Sequence, residues 1–327
     1  MDDADQLLGR VEGVVVAAAR AAARSEGTEV AAHIAPPAVL VGSRGAQLAG
    51  MLGLTEDELD FLWSVVARAI DARVGAHLRA VFGTEARFGL SIGQHAALRE
   101  LPAARSHALL RVLDPRHPLR AHSLIEPVAE AGEDVDARWT APARVASFLR
   151  GDDELDPTVA ATGGLIALPA DVQLSIPQRA IVDKLRSWLA HADARTIVLE
   201  GPQGAGRRTA IALALGSRRA VTIDFARVGL RDATRALTAL RREATLCDAV
   251  PVLANLDELW SKVAPGDDAL LALAVAIDQL VGPIVVTTST PGLDLRAERR
   301  AILRAAWPVP TSRRRTLWSS ALIGRGR

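Results

Sequence analysis

Apolar and polar residues alternate along this chain with two different periods. Through the first half, apolar residues recur every three or four positions, which is typical of amphipathic helices. Thr55 and Glu58 form a capping box ahead of one such run, so a helix is predicted from this point. The apolar residues on one face of that helix are Leu59, Leu62, Val66 and Ile70. The other elements predicted here are a helical unit that starts at Phe88, a helix over 105–113 and a short strand or wing at Leu124-Ile125.

The second half alternates short apolar runs with helical stretches. Strands that alternate with helices favour a parallel sheet covered by helices on both faces, and we therefore predict an α/β fold for this half. The predicted strands are 196–200, 220–225, 250–256, 283–288 and 305–309, and the predicted helices include 231–246, 267–280 and 295–304.

These patterns divide the chain into four segments. Residues 1–50 are predicted to form an N-terminal helix and a connector, and residues 51–135 a mainly helical domain with the outline of a winged helix. Residues 136–175 comprise a short helix and a linker, which is predicted to be extended over 151–175. Residues 176–327 form the α/β core.

Charge and composition narrow the classes of function. Hydrophobic residues make up 49% of the chain and charged residues 24%, the balance of a globular protein. The net charge is +1, with −3 over residues 1–150 and +4 over the remainder. Neither part has the strongly basic balance of an obvious DNA-binding domain, so nucleic acid is not the expected partner.

Three features of the sequence concern metal sites and the cellular compartment: the cysteine, the histidines and the start of the chain. Cys247 is the single cysteine, which excludes a disulfide within the chain and argues against a cysteine-based zinc site. The seven histidines show no metal-binding spacing. The chain starts with acidic residues where a signal peptide would be basic, and no apolar stretch is long enough for a membrane span. We therefore predict a cytoplasmic protein.

A glycine-rich loop follows the first strand of the α/β core. A P-loop has the pattern G-x-x-x-x-G-K-[ST], in which backbone amides wrap phosphates, the lysine neutralises their charge and the hydroxyl holds Mg²⁺. Gly201 and Gly206 lie in register with this pattern, between a predicted strand and a predicted helix. The candidate binding residues are Gly201, Gln203, Gly204, Ala205, Gly206, Arg207, Arg208 and Thr209.

Two adjacent residues of this loop depart from the pattern. Arg207 stands at the lysine position and Arg208 at the hydroxyl position, while Thr209 comes one residue late. A guanidinium is a planar fork and an ammonium a compact point charge, so arginine does not simply replace lysine. The sequence therefore predicts weakened handling of both phosphate and metal.

An acidic pair follows the third strand of the core. The apolar run from Val252 ends in Leu256-Asp257-Glu258, with Asn255 as a polar residue inside it. A strand that ends in Asp-Glu is the Walker B pattern, in which the aspartate holds Mg²⁺ and the glutamate polarises the attacking water. We predict Asp257 and Glu258 as catalytic residues and Asp257 with Thr209 as the metal ligands.

The loop, the acidic pair and the 283–288 strand together resemble the AAA+ ATPases. The resemblance implies a P-loop core of this type, a parallel sheet of order 5-1-4-3-2, ATP and Mg²⁺ as cofactors and an oligomeric ring, homomeric or heteromeric. It also implies a γ-phosphate sensor at the end of the fourth strand, where Thr287 and Thr288 lie, and we predict Thr288 for this role. One residue of a basic series would act as an arginine finger, although a solvated helix face explains the series as well; the series is Arg296, Arg299, Arg300 and Arg304.

Residues 59–124 and the connector 148–156 look like the winged-helix region of bacterial tandem AAA+ ATPases, among them those encoded with contractile injection systems. In those proteins a degenerate first AAA+ domain precedes a second domain with an intact loop. The sequence stops at Arg327, before a complete lid and a second ATPase domain. The resemblance therefore implies either a piece of a longer tandem ATPase or a pseudo-ATPase partner.

Three hypotheses follow. In the first, the chain is an ATP-binding module impaired in hydrolysis that serves assembly or remodelling within an oligomeric ATPase. In the second, it is a slow but active ATPase that uses Asp257 and Glu258. In the third, it is a DNA-binding regulator whose wing carries Arg116 and Arg120.

Overall fold

The computed structural model describes residues 12–17, 19–20, 43–128, 137–168, 172–262, 268–296 and 298–308. The chain divides into two compact units, Met1–Asp156 (unit 1) and Pro157–Arg327 (unit 2). Most of the predicted segment 1–50 lies outside the described residues, although 12–17 and 19–20 are helical. Among the helices that the structure describes, none is both long enough and apolar enough to cross a membrane.

Unit 1 is built mainly from helices. They are α1 (Arg44–Leu52), α2 (Glu56–Ile70), α3 (Ala72–Phe82), α4 (Ile92–Arg99), α5 (Ala103–Leu109), α6 (Pro118–Ala121) and α7 (Ala143–Leu149). Short 3-10 turns cover Thr84–Arg87 and Leu110–Leu113. Two short strands, β1 (Glu126–Pro127) and β2 (Trp139–Thr140), pair in antiparallel orientation.

The predicted capping box at the start of α2 is confirmed. The backbone N–H of Thr55 donates to Oε2 of Glu58 at 2.8 Å, and this reciprocal pair satisfies amides that the first helical turn leaves without partners. The predicted apolar face of α2 is buried in the core of unit 1 at Leu59, Leu62 and Val66.

Glu58 is also the centre of a buried polar cluster. Its Oε1 accepts a hydrogen bond from Nε of Arg111 and lies 2.6 Å from Nε2 of His117. Burial by itself raises the pKa of Glu58, but the hydrogen bonds from Arg111, Thr55 and His117 together outweigh it and lower the pKa to about 2. The cluster joins the start of α2 to the start of α6, because His117 caps α6.

The strand pair of unit 1 carries a third extended residue, Leu90. Leu90 and Trp139 exchange two backbone hydrogen bonds, each 3.0 Å long. Gly89 lies next to this pair. A Cβ at this position would be only 2.8 Å from the carbonyl oxygen of Trp139, so a residue without a side chain fits there. The strand predicted at Leu124-Ile125 begins at Glu126, because the backbone N–H groups of Leu124 and Ile125 both donate to the carbonyl of Leu119.

Unit 2 is a mixed α/β unit around a six-stranded sheet. The strands are β3 (Gly163–Leu165), β4 (Arg195–Glu200), β5 (Arg219–Asp224), β6 (Ala249–Ala254), β7 (Ile284–Thr288) and β8 (Ala301–Ala306). The helices are α8 (Pro157–Thr162), α9 (Ile176–Leu189), α10 (Arg207–Leu215), α11 (Ala233–Leu246), α12 (Asp257–Trp260) and α13 (Asp268–Asp278), and 3-10 turns cover Phe225–Arg227 and Leu230–Asp232.

The strands lie in the order β3-β5-β6-β7-β4-β8. The five strands from β4 to β8 pair in parallel, and β3 is antiparallel at the edge beside β5. Numbered from one to five in chain order, the parallel strands follow the order 5-1-4-3-2 across the sheet. The predicted α/β class of this half is confirmed.

The predicted extended linker over 151–175 is wrong, because this stretch contains α8 and β3. The sequence Gly163-Gly164-Leu165 has little strand propensity, so pairing with β5 decides its conformation. Gly163 lies so close to β5 that an added Cβ would be 1.8 Å from the carbonyl oxygen of Thr222. Glycine at this position allows the two backbones to meet.

The helix predicted over 295–304 is also wrong, because β8 occupies Ala301–Ala306. Arg300 gives the physical reason. Its Nη2 donates to the carbonyl of Arg195 at 2.8 Å and its Nε to Oγ1 of Thr196 at 3.0 Å. These bonds hold the chain beside the start of β4, where it continues as a strand.

One core cluster of unit 2 lies between the sheet and two helices that pack on each other. Apolar side chains of α9 and α10 meet those of the central strands in one cluster, which includes Val182, Leu185, Ile211, Ile197, Val252 and Val285. Because the strands are parallel, their carboxyl ends meet at one edge of the sheet, which is where α/β folds place ligands.

Candidate functional site

The glycine loop crosses this edge between β4 and α10. Gly204 and Gly206 have φ values of 76° and 94°, a region that side chains other than glycine rarely adopt. Gly206 is the N-cap of α10, and the backbone N–H of Gly201 donates to the carbonyl of Thr288 at 3.0 Å. The loop therefore lies at the start of a helix, where unpaired amides and the helix dipole favour an anion.

Trp307 is hydrogen-bonded both to the loop and to the end of β4. Its Nε1 donates to the carbonyl of Ala205 at 2.7 Å, and its backbone N–H donates to the carbonyl of Glu200 at 2.6 Å. A Cβ on Gly201 would lie 3.2 Å from Cβ of Trp307, so the loop and the indole side chain are closely packed. Sequence reasoning did not single out this residue, because it lies about a hundred positions after the loop.

Arg207 is the buried charge of the site, with 5% of its surface exposed. Its Nη2 donates to Oδ1 of Asn255 at 2.9 Å. Burial lowers the pKa of Arg207, and the nearby carboxylates of Asp257 and Asp224 partly oppose this effect. The other terminal nitrogen, Nη1, is buried and has no hydrogen-bond partner among the described residues.

Arg208 extends from the loop to the end of β5. Its Nη2 pairs with Oδ2 of Asp224 at 2.8 Å, and about half of the side chain is exposed. Oδ1 of Asp224 accepts from Nδ2 of Asn255 at 2.8 Å and from the backbone N–H of Ala226 at 3.2 Å. Asn255 therefore bonds to Arg207 through its amide oxygen and to Asp224, the partner of Arg208, through its amide nitrogen.

The end of β6 differs from the predicted Walker B arrangement. The strand ends at Ala254, and the polar residue that follows it and reaches the loop is Asn255, not Asp257. Asn255 has a φ of 53° and donates its backbone N–H to Oγ1 of Thr287 at 3.1 Å. The left-handed backbone turns the chain, so the acidic pair falls on the short helix α12.

Asp257 and Glu258 lie outside the lining of the site. Oδ2 of Asp257 accepts from the backbone N–H of Ser289 at 3.0 Å and from Oγ1 of Thr290 at 3.3 Å. Its Oδ1 is buried and has no partner in the described part of the chain. Glu258 is exposed. Thr288, the predicted sensor, is buried, and its Oγ1 exchanges hydrogen bonds with the backbone of Thr290.

A cavity of about 340 Å³ opens between the loop and the strand ends. Its lining residues are Gln203, Gly204, Gly206, Arg207, Arg208, Asp224, Asn255 and Thr287. Five predicted binding residues thus come together there, whereas Gly201, Ala205 and Thr209 do not line it. Sequence reasoning missed Asp224, whose only signal was a polar residue near a strand end. Of the two threonines at the predicted sensor position, Thr287 lines the cavity and Thr288 does not.

The residues present do not fit a magnesium ion. A magnesium site of the predicted type needs a hydroxyl from the loop and a carboxylate from the strand end. Here a guanidinium stands at the hydroxyl position and a neutral amide follows the strand, both engaged in hydrogen bonds. Thr209, the predicted loop ligand, does not line the cavity. Within the described ranges, no cluster of three or more histidine, cysteine or acidic residues could hold a metal ion.

The basic series after β7 does not form one helix face. Arg300 is buried and bonded to Thr196. Arg304 pairs with Glu200 at 2.9 Å and also donates to the carbonyl of Leu293. These two residues hold β8 in place, which leaves Arg296 and Arg299 as the exposed members of the series.

Comparison with known proteins adds no family. No protein-family model matches the sequence, and no curated protein matches it either.

Proposed function

We propose that unit 2 is an ATP-binding module of the AAA+ type that is impaired in hydrolysis and serves assembly or remodelling as part of an oligomeric ATPase. The parallel strand order 5-1-4-3-2 and the glycine loop between the first of these strands and its helix support the fold part of this proposal. The partners and the ring rest on the resemblance in sequence.

The main support for the proposal comes from the hydrogen bonds around Asn255. Arg207 donates to its Oδ1 at 2.9 Å, while its Nδ2 donates to Asp224, the partner of Arg208. A cationic, glycine-lined cavity at a helix start suits phosphate. The same bonds place an arginine and a neutral amide where hydrolysis would need metal ligands.

The alternative of a slow active ATPase receives less support from this geometry. Glu258 is exposed and Asp257 is bonded to Ser289 and Thr290, so neither lines the cavity. A general base must come within hydrogen-bond reach of the attacking water.

The alternative of a DNA-binding regulator also lacks a specific supporting contact. Arg120, one of the two arginines assigned to the wing, lies with Cζ 4.9 Å above the ring of Trp139 and donates to the carbonyl of Leu113. This guanidinium packs against unit 1 itself, which leaves Arg116 as the exposed member of the pair.

Calorimetric titration of the full chain with ATP tests the proposal. We expect wild type to bind and Arg207→Met, which keeps the apolar stem and removes the charge, to bind about tenfold more weakly or worse. Arg186→Met is the control, because Arg186 forms an exposed ion pair with Asp183 on α9 and does not line the cavity. Equal affinities for wild type and Arg207→Met, or no binding by wild type, would contradict the proposal.

A further inference from the structure

We infer that the cavity takes the polyphosphate of a nucleotide without a divalent cation, and that the two adjacent arginines of the loop replace the metal. This inference rests on the proposed function, because it assumes that the cavity binds nucleotide. It names the charge state of the ligand and the groups that recognise it.

The first argument is the unsatisfied nitrogen of Arg207. The side chain is 5% exposed and lines the cavity, and Nη1 has no partner among the described residues, although Nη2 is bonded to Asn255. A buried guanidinium N–H without an acceptor is costly, and a phosphate group is one of the acceptors that match the geometry of arginine. The start of α10, a helix of nine residues, adds its own partial positive charge at the same place.

The second argument is the position of Arg208. In a metal-dependent loop this residue would carry the hydroxyl that faces the cation. Here its guanidinium crosses the cavity wall to Asp224 at 2.8 Å. Arg208 therefore offers N–H donors to phosphate oxygens at the point where a metal-dependent loop has an oxygen ligand.

The third argument is that the oxygens of Asn255 and Asp224, which lie at strand ends in the described lining, already accept hydrogen bonds. Oδ1 of Asn255 accepts from Arg207, and its Nδ2 donates to Asp224, so both ends of the amide are already engaged. Asp224 is the only carboxylate in the described lining, and both of its oxygens accept hydrogen bonds. Its charge is offset by Arg208. Asp257, the other carboxylate near Arg207, does not line the cavity, so Arg207 faces the cavity without an ion-pair partner among the lining residues.

The ligand that matches this arrangement is the metal-free nucleotide. It carries more negative charge than its magnesium complex, and its phosphate oxygens are available to the arginines. Magnesium would therefore compete with the arginines for the same phosphate oxygens. It would not link these oxygens to the protein.

Calorimetric titration of the full chain with ATP in EDTA and in excess Mg²⁺ tests this inference. We expect a Kd in EDTA that is no higher than the Kd in Mg²⁺. Arg208→Ser should weaken binding in EDTA by roughly tenfold, since it removes one charge-assisted contact. Arg186→Ser, which removes an exposed arginine of a similar ion pair, should bind like wild type in both buffers.

The outcomes separate the inference from the proposed function. A Kd that rises when Mg²⁺ is removed overturns the metal-free mode and leaves nucleotide binding intact. Unchanged binding by Arg208→Ser in EDTA overturns the role of that arginine. No binding of ATP in either buffer overturns both the inference and the proposed function.

Discussion

Nη2 of Arg207 donates to Oδ1 of Asn255 at 2.9 Å, and this bond joins the start of α10, directly after the glycine loop, to the end of β6. The two residues are 48 positions apart in the sequence. Both are buried, so the bond is shielded from water and contributes to the stability of unit 2 as well as to the shape of the cavity.

We expect Asn255→Ala to destabilise unit 2 by about 2–4 kcal/mol, because it leaves a buried guanidinium without its acceptor and places alanine in a left-handed backbone. Asn255→Gly is the matched control, since it removes the same side chain but tolerates the φ of 53°. It should be less destabilised than the alanine variant by about 1 kcal/mol. Urea unfolding of each variant measures both effects, and equal stabilities of the two variants would contradict the role assigned to the backbone.

Trp307→Phe should loosen the glycine loop. The phenyl ring fills most of the indole volume but cannot donate to the carbonyl of Ala205, which costs about 1 kcal/mol of stability. We also expect a several-fold weaker affinity for ATP, because the loop is then less well held. Trp188→Phe on α9 is the control, because the Trp188 ring packs against Lys184 of the same helix, and no hydrogen bond among the described residues joins its side chain to the loop. If both variants bind ATP like wild type, Trp307 does not position the loop.

The Glu58 cluster predicts a pH dependence of unit 1. The folded-state pKa of about 2 lies below the ordinary value of 4.5, so the stabilisation from Glu58 is fully present above about pH 5 and is lost as the pH falls toward 2. It amounts to about 2–3 kcal/mol at neutral pH, after allowance for the exposure of Arg111.

The test compares wild type with Glu58→Gln, which keeps the capping geometry but has no charge. The difference in free energy of unfolding between the two proteins should be largest at neutral pH and should shrink between pH 5 and pH 3. A difference that does not change with pH would show that the charge of Glu58 is not what stabilises unit 1.

Local sequence signals predicted a substantial part of this protein. The capping box at Thr55 and Glu58 and the glycine loop from Gly201 to Gly206 depend on neighbours a few residues away, so spacing alone predicts them. The α/β class followed from the alternation of strands and helices, which is also a local pattern.

The errors arose where distant residues decide the structure. β3 forms because Gly163 fits against Thr222, and β8 starts early because Arg300 binds the start of β4. The strand end at Asn255 was missed because nothing in an apolar run shows that the backbone turns left-handed before Asp257 is reached.

Impaired hydrolysis can be measured as phosphate release from ATP with Mg²⁺ by the full chain. Glu258→Gln is measured beside wild type. Our account predicts no release above the protein-free background and the same result for both proteins, because neither Asp257 nor Glu258 lines the cavity. Release by wild type that Glu258→Gln abolishes would contradict the account and would establish an active ATPase.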